Sequence, residues 1–202
     1  MKVITLSQKA LKRESLSLCK RIQEDKFAPD IIIGIATGGI YISQPIKECF
    51  EEKGWHGFYA EIKLSRHTTK IKKRTNIKSV LQKLPYPLLN RLRMFEVTFF
   101  EKLKSHQYNT NKESKIQLPQ KLKEEIKNAS SLLLIDDAID TGATVLAIKN
   151  VIASLNPNIT IKVAVLTVTH KHPYIEPDYT NYKRALLRCP WAEDYKGEDK
   201  IG

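Results

Sequence analysis

At 202 residues, 42% hydrophobic and 28% charged, the chain has the size and composition of one globular domain with a substantial core, which excludes disordered and fibrous classes. Its net charge of +12 points to an anionic ligand or partner. The opening MKVITLSQKALKRE lacks the apolar run of a signal peptide, and no later stretch approaches the roughly 20 apolar residues that span a bilayer, so no membrane is expected.

The first predicted helix runs from about Ser7 to Asp25, with Leu11, Leu18 and Ile22 on one stripe. Pro29-Asp30 then introduces Ile31 to Ala36, a short continuous apolar run suited to a strand covered on both faces. Thr37-Gly38-Gly39 reads as a turn, Ile40 to Lys53 as a helix and His56 to Leu64 as a strand. Beyond Ser65 this alternation stops. Pro85 and Pro87 precede a strong amphipathic pattern over residues 87–104, where Leu88, Leu92, Phe95, Phe99 and Leu103 recur at helical spacing. Ser105 to Gln117 is polar and loop-like, and Pro119 opens a short helix to Lys127. The alternation resumes with a strand from Leu132, a helix from Thr141 to Leu155 and a β-branched strand from Ile161 to Thr169. This order predicts an α/β fold, a doubly wound and mainly parallel sheet in a single domain over 1–202, with a helical insertion at about 65–118.

The charge is concentrated in that insertion. From Ile62 through Phe95 there is no acidic residue, while Lys63, Arg66, Lys70, Lys72, Lys73, Arg74, Lys78, Lys83, Arg91 and Arg93 are all basic. The rest of the chain is close to neutral. Such a tract is a solvated face, an anion-binding flap or a nucleic-acid contact over 63–93. The stripe from Leu88 to Leu103 fits a helix packed on its own domain, and equally an oligomer or partner interface; a homo-oligomer is expected. Cys19, Cys49 and Cys189 are widely spaced and odd in number. They form neither a disulfide framework nor a metal knuckle, and a reducing cytoplasm is the expected location.

One stretch carries chemistry. In SLLLIDDAIDTGATVLAI, residues 131–148, Asp140-Thr141-Gly142 matches the catalytic turn of a retroviral-type aspartic protease. That enzyme needs an all-β scaffold bringing two aspartates face to face, whereas helix-forming residues follow directly here and the flanks are α/β. The second reading fits the context. At the carboxyl end of a buried strand, a turn of small residues presents backbone N–H groups, and the helix that starts there adds the positive end of its dipole. Thr141-Gly142-Ala143-Thr144 offers hydroxyls and close approach, a cradle for a monophosphate. Asp136 and Asp137 sit where they can meet ribose hydroxyls or a Mg²⁺ held by them.

Over thirteen positions, LLLIDDAIDTGAT resembles the phosphoribosyl pyrophosphate motif of type I phosphoribosyltransferases. PDIIIGIATGGI (29–40) is similar to their pyrophosphate loop, and PDYTNYKRALLRCPWAEDY (177–195) resembles the hood of the hypoxanthine and xanthine–guanine enzymes. The resemblance covers about 28–64 and 130–195. It implies the type I phosphoribosyltransferase fold with a small C-terminal hood at about 170–202. By position it implies that Thr141, Gly142, Ala143 and Thr144 bind the ribose phosphate and that Thr37, Gly38 and Gly39 bind pyrophosphate. Asp136 and Asp137 would serve the ribose hydroxyls and Mg²⁺, with Asp137 at the metal. Asp140 marks the 6-oxopurine branch, where an aspartate acts on a purine ring nitrogen as general acid or base. Lys171 would meet the exocyclic oxygen and Trp191 would stack on the base. Each also fits a plainer role, a solvated lysine and a core tryptophan. His170 and His172 flank Lys171 at a spacing that reads as a polar edge rather than a metal site.

The sequence departs from the family at Thr37, where the pyrophosphate loop normally has Arg or Lys after a peptide bond that is often cis. Lys63, Arg66 and Lys70 lie where the family has its mobile lid and would return that charge. The reaction implied is transfer of ribose phosphate from phosphoribosyl pyrophosphate to a purine, Mg²⁺-dependent. An alternative is a phosphoribosyltransferase-like protein working in a regulatory or nucleic-acid-bound complex, as accessory proteins of some retron anti-phage defence systems resemble this family and a basic insertion suits RNA or DNA.

Overall fold

The computed structural model describes residues 1–63, 84–103 and 116–201, the side chains of 96–103 excepted. Of the basic tract, Lys63, Arg91 and Arg93 are described; Arg66, Lys70, Lys72, Lys73, Arg74, Lys78 and Lys83 lie outside the described residues, as do the side chains of Phe99 and Leu103 and most of the polar stretch after Ser105. In chain order the elements are β1 (Lys2–Thr5), α1 (Gln8–Glu24), β2 (Ile31–Ile35), α2 (Gly38–Glu51), β3 (Phe58–Ile62), α3 (Tyr86–Leu103), α4 (Gln120–Asn128), β4 (Ser131–Ile139), α5 (Ala143–Leu155), β5 (Thr160–Val168), β6 (Tyr179–Lys183) and β7 (Ala185–Arg188).

Five strands form one sheet in the order β3-β2-β4-β5-β6, every neighbour parallel. The apolar runs alternate between its two faces, as side chains on a strand must. Ile31, Ile33, Leu132 and Leu134 enter a core closed by Leu122 and Ile126 of α4 and Val145, Ile148 and Ile152 of α5. Ile32, Leu133 and Ile135 enter the opposite core, closed by Leu18 and Ile22 of α1 and Ile42 and Ile46 of α2. Both faces are covered, which is why these strands read as unbroken hydrophobic runs. The sheet is doubly wound, as expected.

The direction in which the chain steps across the sheet reverses between β2 and β4. From β2 the chain steps outward to β3; from β4 it steps the other way to β5 and β6. The carboxyl ends of β2 and β4 therefore flank the switch point, where open α/β sheets make their ligand crevice.

Several boundaries differ from the sequence expectation. Helix α2 begins at Gly38, so the glycines expected in the turn form its first turn. Strand β4 extends to Ile139, which makes Asp136 and Asp137 strand residues, and α5 starts two residues later than predicted. The C-terminal segment divides: β6 completes the main sheet beside β5, while β7 leaves it and pairs in parallel with β1. The hood is thus closed by the N-terminal strand, which sequence patterning did not mark.

Helix α3 docks on this two-stranded sheet, but not by the stripe its periodicity emphasised. Leu89 is 2% exposed, whereas Leu88, Leu92 and Phe95 are 43%, 48% and 71% exposed. Its inward face is polar as well as apolar. Arg93 donates to the Leu187 carbonyl (3.1 Å) and pairs with Asp194, and Asn90 accepts from Arg188 at 2.9 Å.

Candidate active site

The site is built around a contact between the first turn of α2 and the end of β4. Gly38 opens α2 directly against the end of β4: a Cβ placed on it would lie 2.3 Å from Cγ and Oδ2 of Asp137. Gly39 abuts the backbone of β4, its Cβ position being 2.5 Å from the Ile135 carbonyl oxygen and 2.9 Å from the Asp136 Cα. Only glycine permits these approaches. They set the loop after β2 beside the acidic pair of β4. The Ala36–Thr37 peptide bond is cis, and Thr37 is exposed at the helix N-cap with no side-chain capping bond.

The two carboxylates differ in setting. Asp136 is 4% exposed, and its Oδ1 accepts the Asp137 N–H at 2.8 Å. Asp137 is half-buried against Gly38. Cys189, on the hood, is close enough to feel it: burial pushes the Cys189 thiol up to about 12, and the Asp137 charge adds to the rise.

After Ile139 the chain turns through Asp140, Thr141 and Gly142 into α5. Gly142 adopts φ +78°, the left-handed region that favours glycine, and Ile175 packs where a Cβ would stand, 2.8 Å from its Cγ2. The first hydrogen bond of the helix runs from the Leu146 N–H to the Gly142 carbonyl (2.9 Å), and the Ala143 N–H donates to Thr141 Oγ1 at 3.4 Å. An anion at this end meets backbone N–H groups and a favourable dipole. Thr141 and Thr144 are half-buried beside it, and Ala143 is buried. Asp140 is exposed, its Oδ1 accepting from the Thr169 hydroxyl at 3.2 Å.

The segment carrying Lys171 folds back on this turn, since the Tyr174 N–H donates to the Thr141 carbonyl at 2.8 Å. Lys171 is exposed on it, between Thr169 and that tie. The His170 ring is occupied locally, its Nδ1 accepting the backbone N–H of His172 (3.0 Å). Trp191 stacks on Tyr41 of the first turn of α2, with ring centroids 5.0 Å apart and planes 14° from parallel, and both rings pack against the core shared by α1 and α2. One aromatic pair thus joins the hood to the helix of the Thr37 loop. Tyr41, Thr169 and Cys189 were not foreseen; none belongs to a local pattern that marks a site. Lys63 follows Ile62, whose carbonyl accepts the Ala36 N–H at 2.8 Å, so it stands beside the Thr37 loop.

The sequence model of the phosphoribosyl transferase domain matches residues 6–193, nearly the whole chain. The chain belongs to this family. Residues 6–193 include the Thr37 loop, the acidic pair, the α5 turn and the hood as far as Trp191 and Glu193. No curated protein sequence matches the chain significantly. Among solved structures, the purine phosphoribosyltransferase of Pyrococcus horikoshii Ot3 is 18% identical with a TM-score of 0.57, covering 98% of this chain and 99% of its own. The xanthine-guanine-hypoxanthine phosphoribosyltransferase of Helicobacter pylori is 13% identical (TM-score 0.55), covering 94% of this chain and 91% of its own. The hypoxanthine phosphoribosyltransferase of Trypanosoma cruzi, in complex with the product IMP, is 11% identical (TM-score 0.51), covering 88% and 74%. At these identities the likeness is one of fold, and the fold of this phosphoribosyltransferase domain is theirs. No helix among the described residues is long and apolar enough to cross a membrane.

Proposed function

We propose that this phosphoribosyltransferase joins a 6-oxopurine to the ribose of phosphoribosyl pyrophosphate and releases pyrophosphate. The observation that supports the reading is the close approach of Gly38 to Asp137, which brings the Thr37 loop beside the acidic pair at the end of β4. The names of the purine enzymes sharing the fold support the choice of base.

The residues divide the substrate between them. Backbone N–H groups of the Gly142–Thr144 turn and the hydroxyls of Thr141 and Thr144 hold the 5′-phosphate. Asp136 and Asp137 accept from the ribose hydroxyls. Backbone donors of Thr37, Gly38 and Gly39, at the positive end of α2, hold the pyrophosphate, and Lys63 supplies the charge that Thr37 lacks. As the bond from ribose C1 to the pyrophosphate oxygen breaks and the bond to the base nitrogen forms, Asp140 exchanges the proton of a purine ring nitrogen. Lys171 meets the exocyclic oxygen. Trp191, backed by Tyr41, offers a ring face to the base.

Mg²⁺ fits this donor set. No group of three or more acidic, histidine or cysteine side chains that could hold a metal occurs among the described residues. Asp137 together with substrate oxygens would hold the ion, since Mg²⁺ is commonly bound by one or two carboxylates and the substrate's own oxygens. When bound, it would neutralise charge on the departing pyrophosphate.

The test is direct. Purified protein with phosphoribosyl pyrophosphate, Mg²⁺ and hypoxanthine, guanine or xanthine should form the nucleoside monophosphate, and adenine or orotate should not be used. Turnover of adenine or orotate in place of all three would overturn the assignment.

A further inference from the structure

Thr169 lies just beyond β5 and is 6% exposed, yet it touches the exposed Asp140. Its backbone is fixed on both sides. The Thr169 N–H donates to the Ile139 carbonyl at 2.8 Å, and the Thr169 carbonyl accepts from Arg184 Nη1 at 2.7 Å. Arg184 is itself clamped. It makes the sharp step from β6 to β7 with φ +57°, and its own N–H donates to the Val168 carbonyl at 2.7 Å.

The Thr169 hydroxyl has one proton and two acceptors in reach: Asp140 Oδ1 at 3.2 Å and the Ile139 carbonyl at 3.4 Å. That carbonyl already accepts the Thr169 N–H, and a carboxylate is the stronger acceptor, so the proton belongs to Asp140. The terminal torsion of an aspartate is otherwise soft. Holding Oδ1 stops its rotation and leaves Oδ2 as the oxygen that faces a ligand.

We propose that Thr169 is a positioning residue for the proton exchange at Asp140, with Arg184 fixing Thr169 in turn. This rests on the role given to Asp140 under the proposed function. The hydroxyl never touches substrate; it sets which carboxylate oxygen does. Its loss should slow the chemical step and spare substrate binding, because misplacing a reacting group by a fraction of an ångström costs rate rather than affinity.

The experiment compares Thr169→Val, which keeps the bulk and loses the hydroxyl, with Thr169→Ser, which keeps the hydroxyl. Thr169→Val should lower kcat by about 10- to 100-fold, with KM for phosphoribosyl pyrophosphate within about 2-fold of wild type. Thr169→Ser should restore most of kcat. In an Asp140→Asn background Thr169→Val should change kcat little further, because both act through one carboxylate. An unimpaired Thr169→Val, a Ser variant as slow as Val, or an equal additional loss in the Asp140→Asn background would each overturn the proposal. Should Thr169→Val fail to fold, Thr169→Ala against Thr169→Ser decides the same point, equal kcat overturning it. A wild type that uses none of hypoxanthine, guanine and xanthine would instead bring down the proposed function, and this inference with it; an active wild type with an unimpaired Val variant would bring down this inference alone.

Discussion

Arg188 and Asp194 form a buried ion pair, Nε lying 2.9 Å from Oδ2, with Arg188 only 1% exposed. The same guanidinium donates to Thr5 Oγ1 (3.1 Å) and Asn90 Oδ1 (2.9 Å), and its carbon stands 4.4 Å from the Tyr86 ring centre. Arg93 takes the other carboxylate oxygen. One cluster therefore ties β1, α3 and the segment after β7 into the hood. Removing one partner strands a buried charge, so Asp194→Asn should lower unfolding free energy by about 3–5 kcal/mol in urea titration.

The pair also fixes a pH dependence. Burial works to raise the Asp194 carboxyl, but Arg93 and Arg188 prevail and hold it below the ordinary range. A carboxyl lowered in the folded state stabilises above its unfolded value of about 3.9, and that contribution disappears as pH falls through the folded value. The gap in stability between wild type and Asp194→Asn should therefore stay constant from neutrality to about pH 5 and shrink below about pH 4. A gap that widened on acidification would contradict the pairing.

Gly38→Ala and Gly39→Ala should fail differently. The first places its methyl on the Asp137 side chain, which can turn away at the expense of the ligand site. It should weaken binding of phosphoribosyl pyrophosphate while keeping most of the thermal stability. The second meets the Ile135 carbonyl and the Asp136 Cα, backbone that cannot yield without parting α2 from β4. Scanning calorimetry should find Gly39→Ala the less stable of the two.

Asp140→Asn should lower turnover by about 10²- to 10⁴-fold while preserving most of the affinity for phosphoribosyl pyrophosphate. The double variant Asp136→Asn, Asp137→Asn should lose binding of the Mg²⁺ complex. Calorimetric titration separates the two, and equal loss of binding in both would remove Asp140 from proton exchange.

The three thiols should react in a fixed order. Cys49 is half-buried, whereas Cys19 is 0% and Cys189 3% exposed. Burial raises both of the latter thiols, Cys189 to about 12, so neither carries appreciable thiolate near pH 8. Peptide mapping after mild alkylation of the folded protein should find Cys49 labelled first. Cys19 and Cys189 should become reactive only in denaturant.

Local patterning carried the frame of this protein. Ile31–Ile35 and Leu132–Ile135 read as strands buried on both faces because the runs are short, apolar throughout and bounded by turn residues, and the first is rich in β-branched side chains. The turn of small residues that opens α5 was legible for the same local reason: a glycine at φ +78° and a helix start are both encoded within a few positions. What joins distant segments was not encoded that way. Pairing β1 with β7 brings Lys2 to Ala185, and that union, not helical periodicity, chose which face of α3 turns inward. The stripe of Leu88, Leu92 and Phe95 satisfied the period but lost the docking site to Leu89, Asn90 and Arg93, whose hydrogen bonds and charge complement Arg188, Asp194 and the Leu187 carbonyl. Trp191 against Tyr41 and Thr169 against Asp140 are of the same kind. A period of 3.6 or 2 records which way a side chain points from its own element, and only the packed structure decides what stands opposite.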